Sequence, residues 1–153
     1  MHTLPTLSLM ERVLFLRHVP LFADLAPPDL KHIAAIADER LFHDAELIAR
    51  QDDPGDELFI IVSGEVAVRE RAGGQAEQEI TRRQAGEVVG EMSIIAQESR
   101  VASLLAVGAV RVLSVDHKQF ASMLRERPEI SLAVMRVLIA RLKEREARQL
   151  LSQ

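Results

Sequence analysis

Between Arg40 and Asp116 the sequence alternates short runs of strand-forming residues with turn residues. This pattern constrains the fold more than any other feature of the sequence. The runs are RLFH, ELIAR, LFIIV, EVAVRE, QEITRR, EVV, ASLLAV and AVRVLSV, and β-branched residues of this kind pack well on a pleated surface. Many short strands at regular spacing are typical of a sandwich or barrel. The segment RERAGGQAEQEI places Gly73 and Gly74 between two runs, which predicts an exposed hairpin tip.

Helical patterns precede the β-rich region. Leu9, Val13 and Leu16 have helical spacing and are followed by Pro20, which disfavours helix at the residue before it. The segment DLAPPDLKHIAAIA predicts a second short helix, with Asp24 as a possible cap and two prolines at its start.

The helical pattern returns after the β-rich region. DHKQFASMLRERP predicts one helix with Asp116 as its cap, and a longer helix is predicted from about Glu129 to Leu151. An apolar stripe from Leu132 to Leu142 on the long helix needs a partner surface.

Composition narrows the classes of function. Nineteen basic and 23 acidic residues give a net charge of −4, without the positive field of a nucleic-acid binder. The absence of cysteine excludes disulfides, thiolate metal sites and a cysteine nucleophile. The longest apolar run, VASLLAVGAV, is shorter than a membrane span, and Glu11, Arg12 and Arg17 break any secretory core. We therefore expect a soluble, cytoplasmic protein.

The segment VVGEMSIIAQESRVASL places a carboxylate and a guanidinium in otherwise apolar surroundings. Gly90 permits close backbone approach, and EMSII is long enough for one or two helical turns whose free N–H groups attract an anion. Arg100 would supply the countercharge bidentately. Because Glu91 would repel a phosphate, it needs a donor such as a sugar hydroxyl. A cyclic nucleotide has both groups and a flat base.

Three segments also resemble a known family, the cyclic nucleotide-binding domains of catabolite-activator-type regulators, protein kinase A regulatory subunits and cyclic-nucleotide-gated channels. GEMSIIAQESRVA resembles the phosphate-binding cassette. DDPGDELFIIVSGEVAV resembles the β-roll signature, with Gly55 and Gly64 at its turns, and PLFADL resembles the segment that leads into the roll. The resemblance runs from about Leu21 to Leu142.

The resemblance implies a fold and a domain organisation. The fold is mainly β with flanking helices (α+β), an antiparallel β-roll (double-stranded β-helix, jelly-roll-like) with a short phosphate-cassette helix. We expect a single domain over residues 1–153, with N-terminal helices at 8–37, the roll at 40–115 and C-terminal helices at 116–151. No Ser/Pro/Gly-rich linker divides the chain.

The resemblance also implies the binding residues. Glu91 would accept from the ribose 2′-hydroxyl and Arg100 would hold the cyclic phosphate. The other predicted ligand contacts are Gly90, the backbone N–H groups of Met92, Ser93, Val101 and Ala102, the apolar side chains of Val68, Ile80 and Val89, and Arg141. Two interpretations of Arg141 and Arg145 are open. Both are solvated charges, or one of them covers the ligand.

Val101 departs from the family pattern, in which Ser or Thr often follows the arginine. In the family that hydroxyl can bond the phosphate or the guanine amino group. Its absence argues against cGMP, and cAMP is the expected ligand, with cGMP less favoured.

Two alternatives stay open. Glu91 and Arg100 could form an internal salt bridge in a degenerate, ligand-free roll that serves dimerisation. A β-roll could also be a metal-dependent cupin enzyme, but the five histidines show no metal-ligand spacing, and a solvated edge is favoured for His43, Asp44 and Glu46. No nucleophile elbow, Walker loop or Rossmann glycine pattern is present. We expect no enzyme activity, no metal and no cofactor.

The sequence thus predicts a cAMP sensor that passes ligand occupancy to its last helix. Eleven residues follow Leu142, too few for a helix-turn-helix, so we expect no direct DNA binding from this chain. The effector would be absent or lie in a larger parent protein. A weak homodimer through the last helix is also predicted, because Arg145 and Gln149 interrupt its heptad pattern.

Overall fold

The computed structural model describes residues 6–90 and 99–151. Within these residues the helices and strands follow the order helix, sheet, helix along the chain. The helices are α1 (Leu9–Leu16), α2 (Pro27–Ile36), α3 (His117–Glu126) and α4 (Pro128–Leu151). The strands are β1 (Asp38–Phe42), β2 (Leu47–Ala49), β3 (Glu57–Glu70), β4 (Gln78–Gln84), β5 (Val88–Val89) and β6 (Ser103–Asp116). The predicted mainly β fold with flanking helices is confirmed.

All strand pairs are antiparallel, and β3 and β6 form the centre of the roll. These two 14-residue strands pair along most of their length, from Glu57 with Asp116 to Arg69 with Ser103. Strands β1 and β2 add to β6, whereas β4 and β5 add to β3. Strand β4 pairs with the half of β3 that faces the first residues of β6, whereas β5 pairs with Phe59 and Ile60, which face the last residues of β6.

The sequence predicts separate strands before and after Gly64, and before and after Gly108, and the structure corrects both predictions. LFIIV and EVAVRE form the single strand β3, and ASLLAV and AVRVLSV form β6. The two glycines have φ angles of +91° and +70°, and the pairing register shifts on both sides of Ser63. Glycine tolerates such angles, so each strand bends there without ending.

The helix caps are partly as predicted. Asp116 caps α3 by accepting from the N–H groups of Lys118 and Gln119. The prediction of Asp24 as the cap of α2 is wrong, because the capping residue is Ala26, without a side-chain bond. Prolines at the first two helical positions lack the N–H groups that a cap would satisfy. Helix α1 has a capping box that pairs Ser8 with Glu11.

Alternate residues of β3 point into two different cores. Leu58 and Ile60 face α1–α4, in a cluster that includes Leu16, Ile33 and Phe120. Phe59 and Ile61 point into the roll, with Phe42, Ile48 and Val112. Because both faces of the strand are covered, the run LFIIV is apolar throughout.

Some predictions fall outside what the structure tests. The cassette helix predicted on EMSII, residues 91–95, falls outside the described residues. The roll spans 38–116 rather than 40–115, and the single-domain assignment stays a prediction. Within residues 6–90 and 99–151, no helix is long and apolar enough for a membrane crossing.

Candidate ligand-binding site

A cavity opens between the rim of the roll and α4. A water-sized sphere can reach about 90 Å³ inside it, and the total rises to about 720 Å³ when the open solvent at its mouth is included. The predicted residues that line it are Val68, Ile80, Val89, Gly90, Arg100, Val101, Ala102 and Arg141. The structure thus brings together residues from three strands, one loop and one helix.

The backbone of Arg100 is fixed by the turn between β2 and β3. The Arg100 N–H donates to the carbonyl of Asp53 at 2.8 Å, and its own carbonyl accepts from Asp52 at 2.8 Å. Next to it the Gln51 N–H donates to Ser103 Oγ at 2.8 Å. The segment DDPGD, whose Gly55 matches the family signature, therefore anchors the arginine.

The side chain of Arg100 is buried, with only 6% of the residue exposed. Its Nη2 donates to the carbonyl of Glu57 at 2.7 Å, and its Nη1 donates to the carbonyl of Gly90 at 3.4 Å. A buried cation is tolerated only when it is hydrogen-bonded or paired. The two carbonyls fix the plane of the guanidinium at the cavity wall.

Gly90 is required by its conformation and by its neighbour. Its φ angle is +84°, and a Cβ built on it would lie 2.4 Å from Nη1 of Arg100 and 3.3 Å from the Glu57 carbonyl oxygen. Any other residue is strained at this angle and would push the guanidinium aside. The glycine therefore sets where Arg100 lies.

The apolar wall comes from β3, β4 and β5. Val68 pairs with Thr81, and Arg69 pairs with Glu79, so Ile80 is an extra residue in β4. This bulge points both Ile80 and Thr81 into the cavity, although neighbouring residues of a regular strand face opposite sides. An apolar surface results that suits a flat ring.

Helix α4 lies across the cavity and is fastened to the roll by arginines at several points. Nη2 of Arg83 in β4 donates to Glu144 at 3.0 Å, and Nη2 of Arg145 donates to Glu70 in β3 at 2.8 Å. Arg141 donates to the carbonyl of Val88. The hydrogen bond from Arg83 holds the pKa of Glu144 below its usual value, with further help from the charges of Arg141 and Arg148.

Sequence reasoning missed part of the cavity wall. The additional lining residues are Thr81, Arg83, Leu104, Leu142 and Arg148. Arg148 follows Arg141 by two helical turns, a spacing that could have identified it. Arg145 lines the cavity and pairs with Glu70, with 39% of its side chain exposed, so its role in covering the ligand stays a prediction.

Three predicted contacts lie outside the described residues, namely Glu91, Met92 and Ser93. Among the described residues, no group of three or more His, Asp or Glu side chains could hold a metal ion. The functional interpretation therefore depends on the arginine, the glycine and the apolar wall.

A comparison with protein families identifies the segment that builds this cavity. The sequence model of the cyclic nucleotide-binding domain matches residues 39–127, more than half of the chain. The chain belongs to the cyclic nucleotide-binding domain family. The match includes the roll except for its first residue, the loop that carries Arg100, and α3.

Curated relatives include proteins named for either cyclic nucleotide. A CRP-like cAMP-activated global transcriptional regulator of Mycobacterium tuberculosis is 37% identical over 93 residues, 61% of this chain and 42% of that protein. The cGMP-dependent protein kinase egl-4 of Caenorhabditis briggsae is 32% identical over 112 residues, 72% of this chain and 15% of the kinase. The chain thus spans less than half of either relative.

Solved structures agree with the family assignment. The crystal structure of the catabolite activator protein of Thermus thermophilus superimposes with a TM-score of 0.77 at 29% identity, over 87% of this chain and 63% of that one. The predicted β-roll architecture is confirmed by this similarity.

Proposed function

We propose that this chain is a regulatory sensor domain whose ligand is cAMP. The observation that carries the proposal is Arg100, a buried guanidinium at the wall of an apolar cavity. Such a group matches one phosphate next to a flat, weakly polar base. A relative named for activation by cAMP supports the choice of ligand, as does Val101, which offers no hydroxyl to a guanine amino group.

In this proposal different residues bind different parts of the ligand. Arg100 and the N–H groups of Val101 and Ala102 bind the cyclic phosphate, and Gly90 lets it approach the backbone. Glu91 accepts from the ribose 2′-hydroxyl, and the N–H groups of Met92 and Ser93 assist at the phosphate. The base lies on the wall formed by Val68, Ile80 and Val89, and Arg141 covers it.

Helix α4 is the proposed output element. It lines the cavity and is fastened to β4 through Glu144 and to β3 through Arg145, so a ligand inside changes the free energy of its attachment. A ligand shifts a conformational equilibrium by its differential affinity for the two states. The chain catalyses no reaction in this proposal, and its receiver is an effector in a larger parent protein or a second chain.

Titration calorimetry with cAMP and cGMP tests the proposal. The wild-type chain should bind cAMP, and Arg100→Ala should weaken binding by about 2–5 kcal/mol, because a charge-assisted contact in a partly desolvated site is lost. Arg82→Ala is the matched control, since Arg82 lies between two lining residues of β4 but is exposed and pairs with Glu65 and Glu79.

The control should keep wild-type affinity. Absence of heat with either nucleotide would instead favour the ligand-free roll, used as a dimerisation module. Equal affinity of Arg100→Ala and the wild type would remove the arginine from the phosphate site.

A further inference from the structure

Phe59 lies beneath Arg100 and is not part of the cavity wall. The ring is in β3 inside the roll, with 1% of the residue exposed, and it pairs through the backbone with Val89. The guanidinium carbon of Arg100 lies over this ring, 5.4 Å from its centroid. A second cation, Arg40, lies 5.8 Å from the same centroid.

The ring face has an electrostatic reason to hold a guanidinium. The face of an aromatic ring carries negative charge density, and its attraction for a cation grows when water is excluded. Because Arg100 is almost fully buried, this contact operates out of water. A planar guanidinium that rests on a ring also loses orientational freedom before any ligand arrives.

Glu57 holds the same guanidinium from a second direction. Its carbonyl accepts from Nη2 of Arg100, while its carboxylate pairs with Arg40. Glu57 and Phe59 are two residues apart in β3, so their side chains leave the same face of the strand. The backbone carbonyl of Glu57 and the ring of Phe59, both in β3, therefore hold the guanidinium of Arg100 from two directions.

We propose that Phe59 is a positioning residue that preorganises Arg100 for the ligand phosphate. The inference rests on the proposed function for its consequence, since an oriented guanidinium needs less ordering on binding. It extends that function to a residue that touches no ligand. Phe59 then contributes to affinity for the phosphate and not to affinity for the base.

The test compares Phe59→Leu with Phe42→Leu. Phe42 belongs to the same buried cluster, and its described ring contact is with Arg40, at 5.1 Å. Both variants remove a buried ring, but only the first removes the ring under Arg100. By calorimetry, Phe59→Leu should bind cAMP about 3- to 30-fold more weakly, whereas Phe42→Leu should stay within about twofold of the wild type. Phe59→Met serves where the leucine variant does not fold.

A second measurement needs no ligand. In ¹⁵N NMR of the free protein, the Nε–Hε signal of Arg100, assigned by its loss in Arg100→Lys, reports how firmly the side chain is held. Hydrogen exchange of this group should be at least about fivefold faster in Phe59→Leu than in Phe42→Leu, because exchange tracks local opening.

The two readouts separate the failure of each proposal. A wild-type chain that binds no cyclic nucleotide removes the proposed function, and the exchange rates still decide whether Phe59 holds Arg100. Equal exchange of the Arg100 signal in the two phenylalanine variants, or equal losses of cAMP affinity, would overturn the positioning role.

Discussion

At the scale of single residues, Gly90 combines backbone conformation with ligand recognition. We expect Gly90→Ala to weaken cAMP binding at least about tenfold, because the new Cβ would lie 2.4 Å from Nη1 of Arg100 and displace a charged contact. The left-handed φ angle adds about 1–2 kcal/mol of strain to the folded state. Calorimetry and urea unfolding measure the two effects separately.

Gly86→Ala is the matched control for this substitution. Gly86 has a φ angle of +91°, and a Cβ there would meet nothing within 4 Å. Its variant should lose similar stability and keep its cAMP affinity. A similar loss of affinity in both variants would show that backbone strain, rather than the arginine, explains the result.

Val101 is the residue at which we predict ligand preference. It lines the cavity and is 40% exposed, so a hydroxyl there would reach the ligand without leaving a buried polar group unpaired. Val101→Thr should raise affinity for cGMP more than affinity for cAMP, and Val101→Ala should favour neither. Competition binding with both nucleotides measures this. Equal responses to the threonine would exclude Val101 as the discriminator.

At the scale of elements, the fastening of α4 depends on pH through Glu144. Because the pKa of Glu144 in the folded protein is below its usual value of 4.5, its contribution to stability is present above that value. The contribution is lost as the pH falls through the folded pKa. About half of the Glu144 side chain is exposed, so the Arg83 pair contributes only about 0.3–1 kcal/mol.

Glu144→Gln should therefore destabilise the protein slightly at neutral pH, and this difference should shrink as the pH falls through the lowered pKa of the folded protein, because the wild-type carboxylate is then protonated too. Urea unfolding at neutral pH and in acid measures the difference. Glu146→Gln, at an exposed residue of the same helix, is the control and should have little effect at either pH. A difference between wild type and Glu144→Gln that persists in acid would argue against the ion pair as the cause.

The same elements show what the sequence could and could not predict. The cap of α3 follows from a local rule, since Asp116 acts on its own neighbours, whereas α1 ends at Leu16, before the position that Pro20 predicts. The merging of LFIIV and EVAVRE into one strand at Gly64 does not follow from a local rule. A glycine between two apolar runs predicts a turn as readily as a bend within one strand. The bulge at Ile80 depends on pairing with β3, which no local pattern in QEITRR specifies.

The residues of the candidate site also fall into those that the sequence could predict and those that it could not. Arg100 could be predicted because a lone guanidinium in an apolar segment has few explanations. The role of Arg83 could not be predicted, because a charged residue in a strand is expected to face solvent. Its partner Glu144 lies 61 residues further along the chain, and only the structure brings the two together.

At the scale of the whole molecule, α4 keeps an exposed apolar stripe. Its residues are Leu132, Met135, Ile139 and Leu142, each about half exposed. Their spacing is that of a heptad seam, and its continuation falls on Glu146 and Gln149. This corrects the prediction that Arg145 interrupts the seam, because Arg145 faces the cavity.

The short seam predicts weak self-association at most. Sedimentation velocity with and without cAMP should show a monomer or a weak dimer, and Ile139→Lys should abolish any dimer because it places a charge in the seam. A tight dimer independent of ligand would show that the polar continuation does not matter. A monomer under all conditions would remove dimerisation from the mechanism.

The pairing of β6 with β1 has a consequence for how the chain folds. Ser114 of β6 lies opposite Asp38 of β1, 76 residues earlier in the chain, so the roll closes only after a long loop has been ordered. Contacts of such high sequence separation slow folding into the millisecond-to-second range. On the ribosome, β1 is made well before its partner strand and waits with an unpaired edge, which is the form of the chain most exposed to aggregation.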